Sequence, residues 1–205
     1  MGSGFMLSQS FLIQLEKEYP FSRANQVLAE DCLKANWKPW LVTELSLALL
    51  RSNHQCHINE LFYPARAADN FLKFDAASHS AIYVPKRQAS RADMAMTLNR
   101  QPIFVELRCE HYLTPLSKAL VNFDKDIQRV KALKKKNPGL SAIAMLALYG
   151  RFSSAKPGVL ANLDNGVQTC YALDTHESGS SSVSRLCQVK KEGKNRMILA
   201  AFSPK

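Results

Sequence analysis

A single α/β domain with a mixed central sheet flanked by helices is the fold class the sequence predicts, and three observations lead to it. Apolar residues recur at helical spacing in the first fifty residues and again over Leu116–Lys136. Between and after these segments lie shorter runs with β character, bounded by turn-forming residues. At 205 residues the chain is long enough to bury one full core and sits near the size at which one domain is expected rather than two.

The elements follow in order. Phe11, Leu12 and Leu15, then Val27, Leu28, Cys32 and Leu33, keep a three-to-four spacing that predicts helix. Trp37-Lys38-Pro39-Trp40 reads as an interruption. From Leu41 a second helix is expected, with Val42, Leu45, Leu47, Ala48, Leu49 and Leu50 largely inward and an end near Ser52-Asn53. Glu44 lies inside it. Strands are then expected at 56–62, 80–84, 93–98 and 103–109, the last two joined as a hairpin through Asn99-Arg100-Gln101-Pro102.

Residues 116–136 predict a helix that turns Leu120, Phe123, Ile127, Val130 and Leu133 inward and most of its lysines and arginines outward, stopped by Asn137-Pro138-Gly139. The apolar run 141–149 suits a strand covered on both faces. Three more strands are expected at 167–174, 183–190 and 196–202, with residues 177–182 as a Ser/Gly-rich loop and 152–165 as the one plausible linker. Gly2-Ser3-Gly4 ahead of Phe5-Met6 reads as an added leader, which places the native start at Met6.

Lysine and arginine number 27 against 17 acidic residues, and the net charge of +10 favours a polyanionic partner such as nucleic acid. The five cysteines, Cys32, Cys56, Cys109, Cys170 and Cys187, are scattered without a C-x-x-C pair, so buried reduced thiols are expected rather than a disulfide framework or a zinc site. The five histidines show no metal-ligand spacing, and no nucleotide-binding glycine loop or G-x-S-x-G elbow is present. No apolar run approaches the length of a membrane span and no signal peptide is recognisable, so a cytoplasmic protein without a membrane partner is expected.

The most informative stretch is Arg91-Ala92-Asp93, followed by the hairpin turn and Ile103-Phe104-Val105-Glu106-Leu107-Arg108. Alternation along the second strand puts Glu106 and Arg108 on one face, and hairpin pairing brings Asp93 within reach of Glu106. Two hard oxygen donors of this kind suit Mg²⁺ or Mn²⁺. An acidic residue on a preceding helix, Arg-x-Asp, a hairpin and hydrophobic-Glu-x-Arg together resemble the PD-(D/E)xK nuclease superfamily, with Arg108 where that family carries lysine.

The resemblance spans about residues 40–150, inside one nuclease-like domain over 1–205 with 1–5 as leader, and it implies a restriction-endonuclease-like mixed sheet. It further implies a metal-dependent DNA endonuclease, in which Asp93 and Glu106 hold Mg²⁺ or Mn²⁺, Glu44 completes the metal shell and Arg108 stands at the catalytic lysine's place. The expected partner is nucleic acid, DNA above all. Lys125, Arg129, Lys134, Lys135 and Lys136 are candidates for its phosphates, and Lys86, Lys118 and Lys125 for a lysine reaching the site from elsewhere.

Each residue also has a structural reading. Glu44 can pair locally, Asp93 can pair with Arg91, Arg108 can be the ion-pair partner of a buried Glu106, and the lysine face of the last helix can simply be solvated. The competing functions are a nuclease-fold module that binds DNA or protein without catalysis, and a structural subunit of a nucleoprotein assembly, with a protein partner or homo-oligomer open in either case.

Overall fold

The computed structural model describes residues 7–30, 37–66, 70–98, 101–110, 115–150, 163–164, 168–175, 181–189 and 195–205. The expected leader, the linker apart from Leu163 and Asp164, and the positions Cys32, Leu33, Asn99 and Arg100 lie outside these residues. Among them the chain forms α1 (Leu7–Glu18), α2 (Phe21–Ala29), α3 (Trp37–Arg51), β1 (Cys56–Ile58), β2 (Phe71–Asp75), β3 (Ser80–Val84), β4 (Met94–Leu98), β5 (Gln101–Glu110), α4 (Leu116–Lys136), β6 (Ser141–Gly150), β7 (Tyr171–Thr175), β8 (Ser181–Arg185) and β9 (Arg196–Phe202). It is a mixed α/β protein with a large, mostly antiparallel sheet flanked by helices.

Seven strands form that sheet in the order β1-β4-β5-β6-β9-β7-β8, while β2 and β3 make a separate hairpin. The β5–β6 pair is parallel, Glu106 opposite Ala144, and α4 is the crossover that this direction requires. All other pairs are antiparallel. Side-chain alternation divides the core between the two faces. Phe104, Ala142, Ala144, Leu146, Ile198 and Ala200 pack with α4 on one face, and Ile103, Val105, Leu107, Ile143, Met145 and Leu199 pack with α1, α2 and α3 on the other. The inward stripe of α4, Leu120, Phe123, Ile127, Val130 and Leu133, is buried as its spacing predicts, each side chain contributing about 1.5–3 kcal/mol of apolar transfer.

Several expectations change, among them the inward placing of Leu47 and Leu50, which α3 leaves exposed. Trp37-Lys38-Pro39-Trp40 does not interrupt the helical region but opens α3, because proline lacks only an N–H that the first helical turn leaves unused anyway. Gln101 and Pro102 belong to β5, pairing with Leu98 and Thr97, so the hairpin strands run further than the turn residues suggested. The alternating run 56–62 is a strand only over its first three residues, and Phe62 makes an isolated bridge to Arg91 instead.

The strands expected at 167–174 and 183–190 form at Tyr171–Thr175 and Ser181–Arg185. The helix end near Ser52-Asn53 is found, with Asn53 in the left-handed region at φ 63°. Of the described cysteines, Cys170 is buried and Cys56 and Cys109 are half-buried. Cys187 is exposed, against the expectation of buried thiols; all four are free. No helix among the described residues is long and apolar enough to cross a membrane.

Candidate functional site

Pairing of β4 with β5 places Met94 opposite Val105, and Asp93, just before β4, departs from that register by donating its backbone N–H to Val105 O at 3.1 Å. Its carboxylate nonetheless lies near enough to Glu106 to act on that group's charge. Both carboxylates line one cleft of about 260 Å³, together with Arg91, Arg108 and the α4 residues Asp126 and Arg129. The juxtaposition of Asp93 and Glu106 that hairpin pairing predicts is what the fold builds. Glu44 is not among the lining residues: its carboxylate accepts hydrogen bonds from Tyr19 Oη at 3.3 Å and Arg23 at 3.1 Å, the local pairing that the helix context allowed.

Three ion pairs set the electrostatics of the cleft. Lys38, from the first turn of α3, puts Nζ 2.7 Å from Asp93 Oδ1. The other Asp93 oxygen accepts the Leu107 backbone N–H at 2.7 Å, so the carboxylate is held from two sides. Arg129 donates to Glu106 at 3.1 Å. Arg108 does not pair with Glu106 although both project from the same face of β5. Its guanidinium reaches α4 and grips Asp126 through two bonds, at 2.6 and 3.0 Å. This fork raises the Arg108 pKa further above its ordinary value, chiefly through the hydrogen bonds to Asp126.

Glu106 is the deepest of the charged groups that line the cleft, with 7% of its surface exposed. It also accepts a hydrogen bond from Tyr63 Oη, whose ring is fully buried and stacks at a tilt on Phe104, 5.2 Å between centroids. Burial pushes the Glu106 carboxyl up despite Arg129 and Tyr63, which pull the other way, and Asp93 and Asp126 add to the rise. Burial, and after it the same carboxylate, push the Tyr63 phenol well up.

The sign for stability follows from linkage. A carboxyl with a folded pKa above its unfolded value supports folding fully below the unfolded pKa, and that support is lost as pH rises through the folded one. Melting temperatures of the unmodified protein and of Glu106→Gln should therefore diverge with pH, the unmodified protein losing ground to the variant as pH rises above about 4.5. A gap that stays constant over that range would show that burial of Glu106 is fully compensated.

The candidate phosphate-binding side chains separate. Lys125 is exposed on α4, whereas Arg129 is tied to Glu106 and lines the cleft. Its Nε is buried with no hydrogen-bond partner among the described residues. Lys134 turns back to donate to Leu140 O at 3.0 Å. Lys135 and Lys136 line a second groove, of about 660 Å³, between α4 and β3, where Lys136 Nζ sits 4.3 Å above the ring of Tyr83.

Of the lysines considered for the site, Lys118 is exposed and Lys86 lies over Phe62, and neither lines the cleft. Arg91, the alternative partner of Asp93, stacks on the same Phe62 ring at 4.6 Å. Lys38, Tyr63 and Asp126 are the site residues that sequence reasoning missed. A signal existed for Asp126 alone, in the Asp124-Lys125-Asp126 cluster on the helix after the Glu106 strand.

Among the described residues no group of three or more His, Cys, Asp and Glu side chains is gathered as a metal cluster. No family model matches the chain, and comparison with curated proteins and with solved structures likewise gives no match.

Proposed function

We propose that this chain is a metal-dependent endonuclease that hydrolyses phosphodiester bonds of DNA, with Asp93 and Glu106 at its centre. The observation that carries the reading is that these two carboxylates, brought together by adjacent antiparallel strands, line one cleft with the cations Lys38, Arg91, Arg108 and Arg129. The order of α3, β1, β4, β5, α4 and β6 supports it, because the hairpin and the helical crossover to a parallel strand follow a restriction-endonuclease-like layout and the four strands are neighbours in the sheet. The net charge of +10 favours a polyanionic substrate.

The donor set fits Mg²⁺ or Mn²⁺ in kind, since both residues offer hard carboxylate oxygens. Each carboxylate is matched by a cation, so an ion held by Asp93 and Glu106 binds in competition with Lys38 and Arg129. Such an ion polarises a phosphoryl oxygen and lowers the pKa of water when bound.

The chain's own residues do the rest. Arg129 on the inner wall offsets the charge that develops on the phosphoryl oxygens. The unused Nε–H of Arg129 on the inner wall offers a further donor. Water adds to phosphorus, the P–O bond to the sugar breaks, and the departing oxygen takes up a proton as the water gives one up.

A second reading, a nuclease-fold module that binds nucleic acid or a protein partner without cutting, draws on the fork between Arg108 and Asp126. An arginine engaged through two bonds is a poor candidate for managing the attacking water. Incubation of supercoiled plasmid with the purified protein separates the two. The nuclease reading expects nicking in Mg²⁺ or Mn²⁺ that EDTA abolishes. Protein inert in every metal, yet binding DNA with strong salt dependence, supports the module instead.

A further inference from the structure

We infer that Lys38 is the cation of this cleft that meets the phosphate of a bound nucleic-acid strand, the role that the position of Arg108 in the motif would otherwise suggest for arginine. The inference rests on the reading of the cleft as a phosphodiester site. It starts from how firmly each cation is held. Arg108 is gripped by Asp126 through two hydrogen bonds and lies 3.9 Å from Glu110. Arg129 is engaged by buried Glu106. Arg91 is spread over the Phe62 ring.

Lys38 differs from Arg108 and Arg129 in its exposure, and from Arg91, itself exposed, in facing the Asp93 carboxylate rather than the Phe62 ring. Its ion pair with Asp93 is short, but its side chain is 43% exposed, against 33% for Arg108 and 27% for Arg129. An ion pair this open to water is weak, and the flexible stem of lysine lets the ammonium turn toward a new partner. The ammonium has three N–H donors. With one on Asp93 Oδ1, two remain for a phosphate oxygen and for water, and a metal that took over Asp93 would free the third.

Position supports this as well. Lys38 comes from the helical layer on the face of the sheet away from α4, so α3 and α4 close the cleft from two sides. A strand lying in the cleft would meet Lys38 at the rim and Arg129 on the inner wall. The arrangement depends on Trp37-Lys38-Pro39-Trp40 being helical, since α3 begins there.

The test combines two measurements. In the first, the unmodified protein is acylated with N-hydroxysuccinimidyl acetate in EDTA, with and without a duplex oligonucleotide, and modification is read by peptide mass spectrometry. Lys38 should react in the free protein and be protected at least about fivefold by DNA, while exposed Lys17 on α1, outside the cleft, keeps its reactivity. In the second, plasmid cleavage in Mg²⁺ is compared for Lys38→Ala and Arg108→Lys, with melting temperatures verifying that both fold. Lys38→Ala should lose about a hundredfold in rate, and Arg108→Lys should change it less than tenfold.

If the protein cleaves DNA but Lys38 is unprotected, or Lys38→Ala cuts as well as the unmodified chain, the inference is overturned and the nuclease reading stands. If the protein never cleaves yet DNA protects Lys38, the nuclease reading falls and the phosphate contact stands. Absence of both cleavage and protection removes both.

Discussion

Asp174→Ala should lower the free energy of unfolding by about 3–5 kcal/mol, the scale for removing one partner of a buried ion pair. Arg196 on β9 is 2% exposed and donates to both Asp174 oxygens, at 2.5 and 3.0 Å. Both residues sit inside the sheet, where β7 and β9 pair, so the change leaves a guanidinium buried without this carboxylate. Urea unfolding followed by circular dichroism measures the loss. For a domain of this size it corresponds to a melting temperature lower by roughly 6–20 °C. Replacing both members by apolar residues of similar volume should cost much less than either single change, because the desolvated charge then disappears with its partner. A single substitution costing under about 1 kcal/mol would mean that water reaches Arg196 and shares its solvation.

Asp93→Asn should reduce metal-dependent DNA cleavage by roughly a factor of 10² to 10³, the range for removing one charge-handling group from an active site. The substitution keeps the shape and leaves an oxygen able to accept the Leu107 N–H, so the strand ends remain joined. What it removes is the charge that Lys38 faces and that a divalent ion would share with Glu106. The same variant therefore has a second expected effect. Mn²⁺ or Mg²⁺ should raise the melting temperature of the unmodified protein, and Asp93→Asn should abolish the rise. Cleavage at the unmodified rate by the variant would remove Asp93 from the chemistry, and with it the carboxylate-pair reading of the cleft.

Much of the scaffold was legible because its central elements are long and strongly patterned. β6 is apolar on both faces, α4 keeps one stripe through about four turns, and β9 is continuous, so length and periodicity settled each without knowledge of its neighbours. β2, Phe71–Asp75, was not foreseen, because five residues beside a four-residue turn carry too little pattern to stand out. The Asp93–Glu106 pair was legible since hairpin register is a local property.

Their partners were not. Lys38 reaches Asp93 from a helix far earlier in the chain, and Tyr63 reaches Glu106 from an irregular stretch with no period to read. The pairing of Arg108 with Asp126 rather than Glu106 depends on how α4 settles over β5. Strand alternation gave the face correctly but could not give the partner across the layer.

The two margins of the large sheet have a consequence of their own. One ends in β1, three residues long; the other ends in β8, Ser-Ser-Val-Ser-Arg, polar at most positions. An unpaired strand edge invites another chain to add a strand, and a short or polar edge makes that addition unrewarding. The apolar strands β6 and β9, which would be the most adhesive if left open, are enclosed between partners on both sides. Strand order thus guards the protein against sheet-to-sheet aggregation.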